Sequence, residues 1–177
     1  MSNTIVGGNT IAAMTGGAFY LTPLSRVTEG TPKLAVSPAS ILTYYIINTL
    51  AKMTDPSDGS AWPLFVQHMP PKPSNAGSIY NTAGVTEQRQ MSGLVPIHQG
   101  IQIRIRAISE ETGYAKIEDI ASALGEIFEE TVEIDPEEYV IQNASQTSDI
   151  VSLGIEEGPK RRFLFTVNFL LTLRKIS

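Results

Sequence analysis

The chain has no cysteine, only two histidines and only one tryptophan in 177 residues. Without cysteine there is no disulfide, no thiol nucleophile and no sulfur-ligated zinc, and a reducing compartment is permitted. His68 and His98 are thirty residues apart, with no His-x-x-x-His pair and no carboxylate at a partnered offset, so ligands at metal-binding spacing are lacking. Positive charge is also in short supply. Thirteen basic residues stand against 18 acidic ones for a net charge of −5, which gives no overall pull toward nucleic acid or an anionic membrane. No apolar run reaches 18 residues and no basic residue precedes Arg26, so neither a transmembrane helix nor a signal peptide is expected, and synthesis is expected in the cytoplasm. The pairs Gly7-Gly8 and Gly16-Gly17 lack the Lys-Ser/Thr of a phosphate loop, and no Gly-x-Ser-x-Gly elbow occurs. The expectation is a protein without catalysis, cofactor or metal.

What is present suits one soluble domain, since 42% of residues are hydrophobic and the length falls in the usual range of about 100–200 residues. Residues 1–36 are rich in Gly and Thr and hold no sustained period, which predicts an extended arm. Its Ile5, Val6, Ile11, Phe19, Tyr20 and Leu21 are more apolar than a solvated linker needs, so the arm is expected to pack on its own body or on a neighbouring subunit. Residues 37–177 then form a single domain. Ser37 followed by Pro38 is a helix start, and Ile41, Leu42, Tyr45, Ile46, Thr49, Leu50 and Met53 give one apolar face that ends before Asp55-Pro56. Trp62 to His68 reads as a short strand ended by Pro70-Pro71-Lys72-Pro73, with Ser78 to Ala83 as its answer.

Residues 84–96 are polar and read as a loop or hairpin tip. In Ile101 to Ala107 the apolar residues occupy odd positions only, which predicts a strand with Gln102, Arg104 and Arg106 on its outer face. A second helix is expected over about Tyr114 to Phe128, with Lys116, Glu118, Asp119 and Glu126 on its polar side. Tyr139 to Gln142 reads as a short strand. Arg162 to Lys175 reads as a long one whose odd face, Phe163 to Leu173, is core. The sum is an α+β fold, a mostly antiparallel sheet with both helices packed on one face and an extended N-terminal arm.

Three further features invite chemistry, and each has a plainer explanation. Glu129, Glu130, Glu133, Asp135, Glu137 and Glu138 could line a metal site or a negative surface, and a solvated acidic edge is the simpler reading. Lys160, Arg161 and Arg162 could touch a phosphate or an acidic partner, or merely charge a hairpin rim. Asn143-Ala144-Ser145 matches a glycosylation sequon and reads as a polar turn. Charge of both signs in blocks, an apolar arm and a proline-flanked loop together suit a subunit that docks on others.

The order of elements resembles the tail terminator, or tail completion, proteins of long-tailed bacteriophages, a family also labelled minor capsid proteins. Three segments carry the resemblance. Pro73 to Gly84 (PSNAGSIYNTAG) is similar to the family's proline, short strand and Asp/Asn-Thr-x-Gly turn. Ile101 to Ala107 (IQIRIRA), followed by Gly113-Tyr114-Ala115-Lys116, is similar to its "vQirvRg" strand and the Tyr that opens its second helix, with Ala107 where the family has glycine. Gly158 to Phe169 (GPKRRFLFTVNF) is similar to its closing "gR..fs.Nf" strand.

The resemblance implies a non-enzymatic homo-hexameric ring in the virion tail or neck. The ring caps the tail tube protein, ends its polymerisation and presents a surface to a head-completion, connector or neck protein. DNA only passes through the lumen and no membrane is involved. The arm is expected to add a contact to a neck or sheath protein. Expected interface residues are Phe19 and Tyr20 on the arm, Glu87, Gln88, Arg89, Gln90 and Met91 in the loop, Arg104 and Arg106 on the outer strand face, and Lys160 and Arg161 before the last strand. The alternatives are another neck component, such as a head-completion or connector subunit, or a small-molecule-binding α+β domain using His68, His98, Arg104 and Arg106.

Overall fold

The computed structural model describes residues 3–6, 9–13, 19–21, 36–55, 59–86, 97–156 and 160–176, with backbone alone for 3–21, 86 and 97. The chain divides into two units, Met1–Gly30 and Thr31–Ser177. In the first, strands β1 (Asn3–Val6), β2 (Asn9–Ala13) and β3 (Phe19–Leu21) form an antiparallel meander, so the arm is extended chain folded back on itself twice.

The second unit opens with helix α1 (Pro38–Asn48). Ser37 caps it by accepting from the Ser40 N–H at 3.2 Å, and Pro38 occupies the first turn where its missing N–H costs nothing. The helix stops at Asn48 rather than continuing to Met53. Leu50 and Met53 still pack on the core, but from irregular chain in which Ala51 takes a left-handed backbone (φ +51°). Strand β4 (Leu64–Val66) follows, then β5 (Ala76–Thr86), β6 (Ile97–Ala107), helix α2 (Glu110–Gly125), β7 (Phe128–Ile134), β8 (Glu137–Gln146), β9 (Val151–Glu156) and β10 (Arg162–Ile176).

The sheet order is β4-β5-β6-β10-β8-β7, with β9 paired to β10. All pairs are antiparallel except β4 with β5, so Trp62–His68 and its answering strand form a parallel pair and not a hairpin. Strands β8 and β9 share one edge of β10, β8 against Phe169–Ile176 and β9 against Arg162–Thr166. Helix α1 meets β4 and β5 at one end of the sheet and β7 at the other, so the sheet curls around both helices and one core forms on its concave face. The expected odd residues fill that core: Ile101, Ile103, Ile105 and Ala107 of β6, and Phe165, Val167, Phe169 and Leu171 of β10. Where β5 and β6 cross, a Cβ on Gly100 would sit 2.1 Å from the Ala83 carbonyl oxygen, so only glycine allows this approach.

Several expectations are corrected. Helix α2 starts four residues earlier than Tyr114, after Ser109, with Glu110 and Glu111 in its first turn where the helix dipole favours them. It ends at Gly125, and Phe128 belongs to β7 and stands 78% exposed. Lys116 is not on a solvated face. It is 4% exposed, donates to the Lys52 carbonyl at 2.7 Å and lies 5.7 Å from the Trp62 ring centre. The sequon Asn143-Ala144-Ser145 lies within β8 and is not a turn. Strands β7 and β9 were not anticipated at all.

Candidate assembly interface

The connection from β4 to β5, residues 67–75, must return along the sheet to begin a parallel strand. It does so without a helix, across the face opposite the core. Its carbonyl groups need donors there, because prolines supply so few of their own. Ser78 Oγ donates to the His68 carbonyl at 2.6 Å, Arg106 Nη2 donates to the carbonyls of Pro70 (2.6 Å) and Pro73, and Arg162 Nη1 donates to Pro71 O at 2.6 Å. Asn75 ties the end of the loop down by accepting from the Ile108 N–H at 3.0 Å and donating to Asp55 at 3.1 Å. Glu156 of β9 supplies the counter-charge, 3.0 Å from Arg162 Nε and 3.7 Å from Arg106 Nη1.

Arg106 is thus on the face that strand alternation predicts but is only 1% exposed, covered by the proline loop, which removes it from any docking surface. Burial and then the neighbouring Arg162 charge lower its pKa, opposed by Glu156 and Tyr80. Arg104, two residues back, stays half-buried. It donates to Gln102 Oε1 at 2.8 Å and lies 4.9 Å above the Tyr80 ring, while Gln102 donates to Asn168 at 3.2 Å. This polar ladder leaves Arg104 available at the surface. Lys160 and Arg161 are exposed, as expected. Beside them Pro71, Lys72, Pro73, Ser74, Lys160 and Arg162 line an open cavity of about 720 Å³.

The other expected interface residues are less fully placed. Phe19 and Tyr20 belong to β3, with their side chains outside the described residues, and Glu87, Gln88, Arg89, Gln90 and Met91 lie outside them altogether. The four residues of the small-molecule alternative are not gathered. His98 meets Thr172 at 2.7 Å, eight residues along β6 from Arg106, or about 26 Å at ~3.3 Å per residue. His68 lies past the end of β4, exposed, with its ring near the Val66 carbonyl.

The acidic run forms the β7–β8 hairpin, with Glu129, Glu130, Glu133 and Asp135 exposed and Glu137 ion-paired with Lys175. It is a solvated acidic edge. Among the described residues no three His, Asp or Glu side chains converge as a metal site would need, and no helix is long and apolar enough to cross a membrane.

Strand β9, like β7, is a feature that residue-level reasoning missed. It pairs with β10 on one side, and among the described residues no strand covers the other. Val151, Leu153 and Ile155 along it are each between 40% and 49% exposed. Their spacing of two was the available signal. Gly154, at φ +92° beside a register shift, is a weak strand former and obscures it.

No protein-family model matches the sequence, and no curated protein matches it either. Several solved structures match weakly, among them one that aligns over 63% of this chain and 80% of its own at 13% identity with a TM-score of 0.32, an overlap too slight to assign a role.

Proposed function

We propose that the chain is a structural subunit of a long-tailed phage virion, forming a ring that caps the tail tube, stops its growth and offers a surface for head joining. The observation that carries this is the open β9 edge. On the side of β9 that no described strand covers, backbone donors and acceptors beside half-exposed Val151, Leu153 and Ile155 invite pairing with another chain. Support also comes from the three segments that resemble the tail terminators. They fall on β5, β6 and β10, which are consecutive neighbours in the sheet.

In this reading mechanism is geometry. Copies related by rotation close a ring, one face matches the last ring of tube protein, and the opposite face admits no further tube subunit. A specific contact of that kind buries roughly 1,200 Å² or more in total. The ring is sixfold, its further partners are a connector or neck protein and, through the arm, a sheath or neck protein, and DNA only passes through its lumen. The test is polymerisation of the cognate tube protein with and without the purified chain. Added at substoichiometric amounts, it is expected to bind tube ends and halt elongation. Unchanged tube lengths with the chain left unbound would overturn the proposal.

A further inference from the structure

Phe128, at the start of β7, is the most exposed large hydrophobic side chain among the described residues, and Glu129 and Glu130 beside it are both exposed. Glu129 holds a left-handed backbone (φ +52°), a strained conformation for a non-glycine residue and one that clusters at functional sites. An isolated aromatic ring in water flanked by two carboxylates has a counterpart elsewhere on the same molecule. The cavity beside the proline loop has rigid apolar walls, Pro71 and Pro73, and a cationic rim, Lys72 and Lys160, with Arg161 exposed next to it.

Knob and socket cannot meet within one chain. Phe128 pairs with Asn143, which pairs with Thr172 of β10, whereas Arg162 of the socket lies ten residues earlier on that strand, about 33 Å away at ~3.3 Å per residue. Two complementary patches at opposite ends of one subunit define a head-to-tail contact, the kind that closes a ring when the rotation is right. We infer that Phe128 of one copy, with Glu129 and Glu130, docks into the Pro71–Pro73 socket of the next copy beneath Lys72 and Lys160. The socket is continuous with the open β9 edge through the Glu156–Arg162 ion pair, so both belong to one docking surface. This inference rests on the ring-forming reading and supplies the contact between neighbours.

Because the chain has no cysteine, disulfide trapping is clean. Full-length Phe128→Cys and Ser74→Cys proteins, each checked for an unchanged melting temperature, are mixed and mildly oxidised. A 128–74 heterodimer is expected in at least roughly tenfold excess over the product of Phe128→Cys with Glu118→Cys, an exposed control on α2. Glu129→Cys replaces Phe128→Cys if the latter melts early. Lys72→Glu with Lys160→Glu is expected to lower the yield roughly tenfold, and Glu129→Lys with Glu130→Lys on the facing copy to restore it, since like charges across a contact repel. A chain carrying both cysteines is expected to give a ladder of multimers. Cross-linking no better than the control overturns the contact. If rings are then still seen by electron microscopy, ring formation stands and only this contact falls.

Discussion

Arg106 shows how one side chain can hold a loop that has no secondary structure of its own. Its guanidinium serves two proline-loop carbonyls and shares Glu156 with Arg162. Arg106→Ala would strand those carbonyls and is expected to cost about 3–5 kcal/mol, read as a lower urea midpoint at unchanged slope. Arg106→Lys is expected to recover only part, since a point charge lacks the planar fork. Lys116 behaves differently, because burial, the largest influence, pushes its ammonium below the ordinary lysine value, with Asp119 and Asp55 opposing and Lys52 adding. In the window between that lowered value and the ordinary one, the unfolded chain holds a proton that the folded chain has released. Stability from this group therefore rises with pH across the window and is least below it. Lys116→Met is expected to flatten that rise in alkaline denaturation series kept below tyrosine titration, because Tyr45, raised by burial and then Glu130, acts in the opposite sense above it. Neither residue's fate was legible in sequence. Strand alternation put Arg106 on the correct face, but the cover over that face and the Lys52 carbonyl awaiting Lys116 come from distant segments.

At the scale of elements, legibility followed regularity. Strands β6 and β10 alternate without interruption and are paired to each other over ten consecutive positions, so their periodicity reported their buried faces correctly. Strand β7 buries only Val132 fully and is acidic elsewhere, which reads as a solvated acidic edge, and β9 carries Gly154, a weak strand former. Both lie at or near sheet edges, where few apolar residues are needed and the pattern fades. The same weakness makes β9 the element to test. Leu153→Lys places a charge on a half-exposed edge position, so folding stability is expected to change by no more than about 0.5 kcal/mol while pairing with another chain is blocked. Thermal melts and particle mass by light scattering, in the presence of tube ends, check the two halves separately. Unaltered assembly by this variant would remove the edge from the interface.

For the whole molecule, the α+β class with two helices on one sheet face was legible because each helix and the two long strands announced an apolar side of matching size. The curl was not, since it depends on α1 touching both ends of the sheet, a long-range fact. Nor was the separation of acidic hairpin from cationic rim, which only the strand order reveals. That polarity of charge and the β9 edge that no described strand covers are the features on which the proposed ring subunit rests. The proposed role is tested most directly by tail length, by electron microscopy, in particles of a long-tailed phage whose copy of this gene carries an amber stop. Overlong tails without heads are the expected result. Tails of normal length beside filled heads would contradict it and assign the chain to the head side of the joint, and normal infectious particles would remove it from the virion altogether.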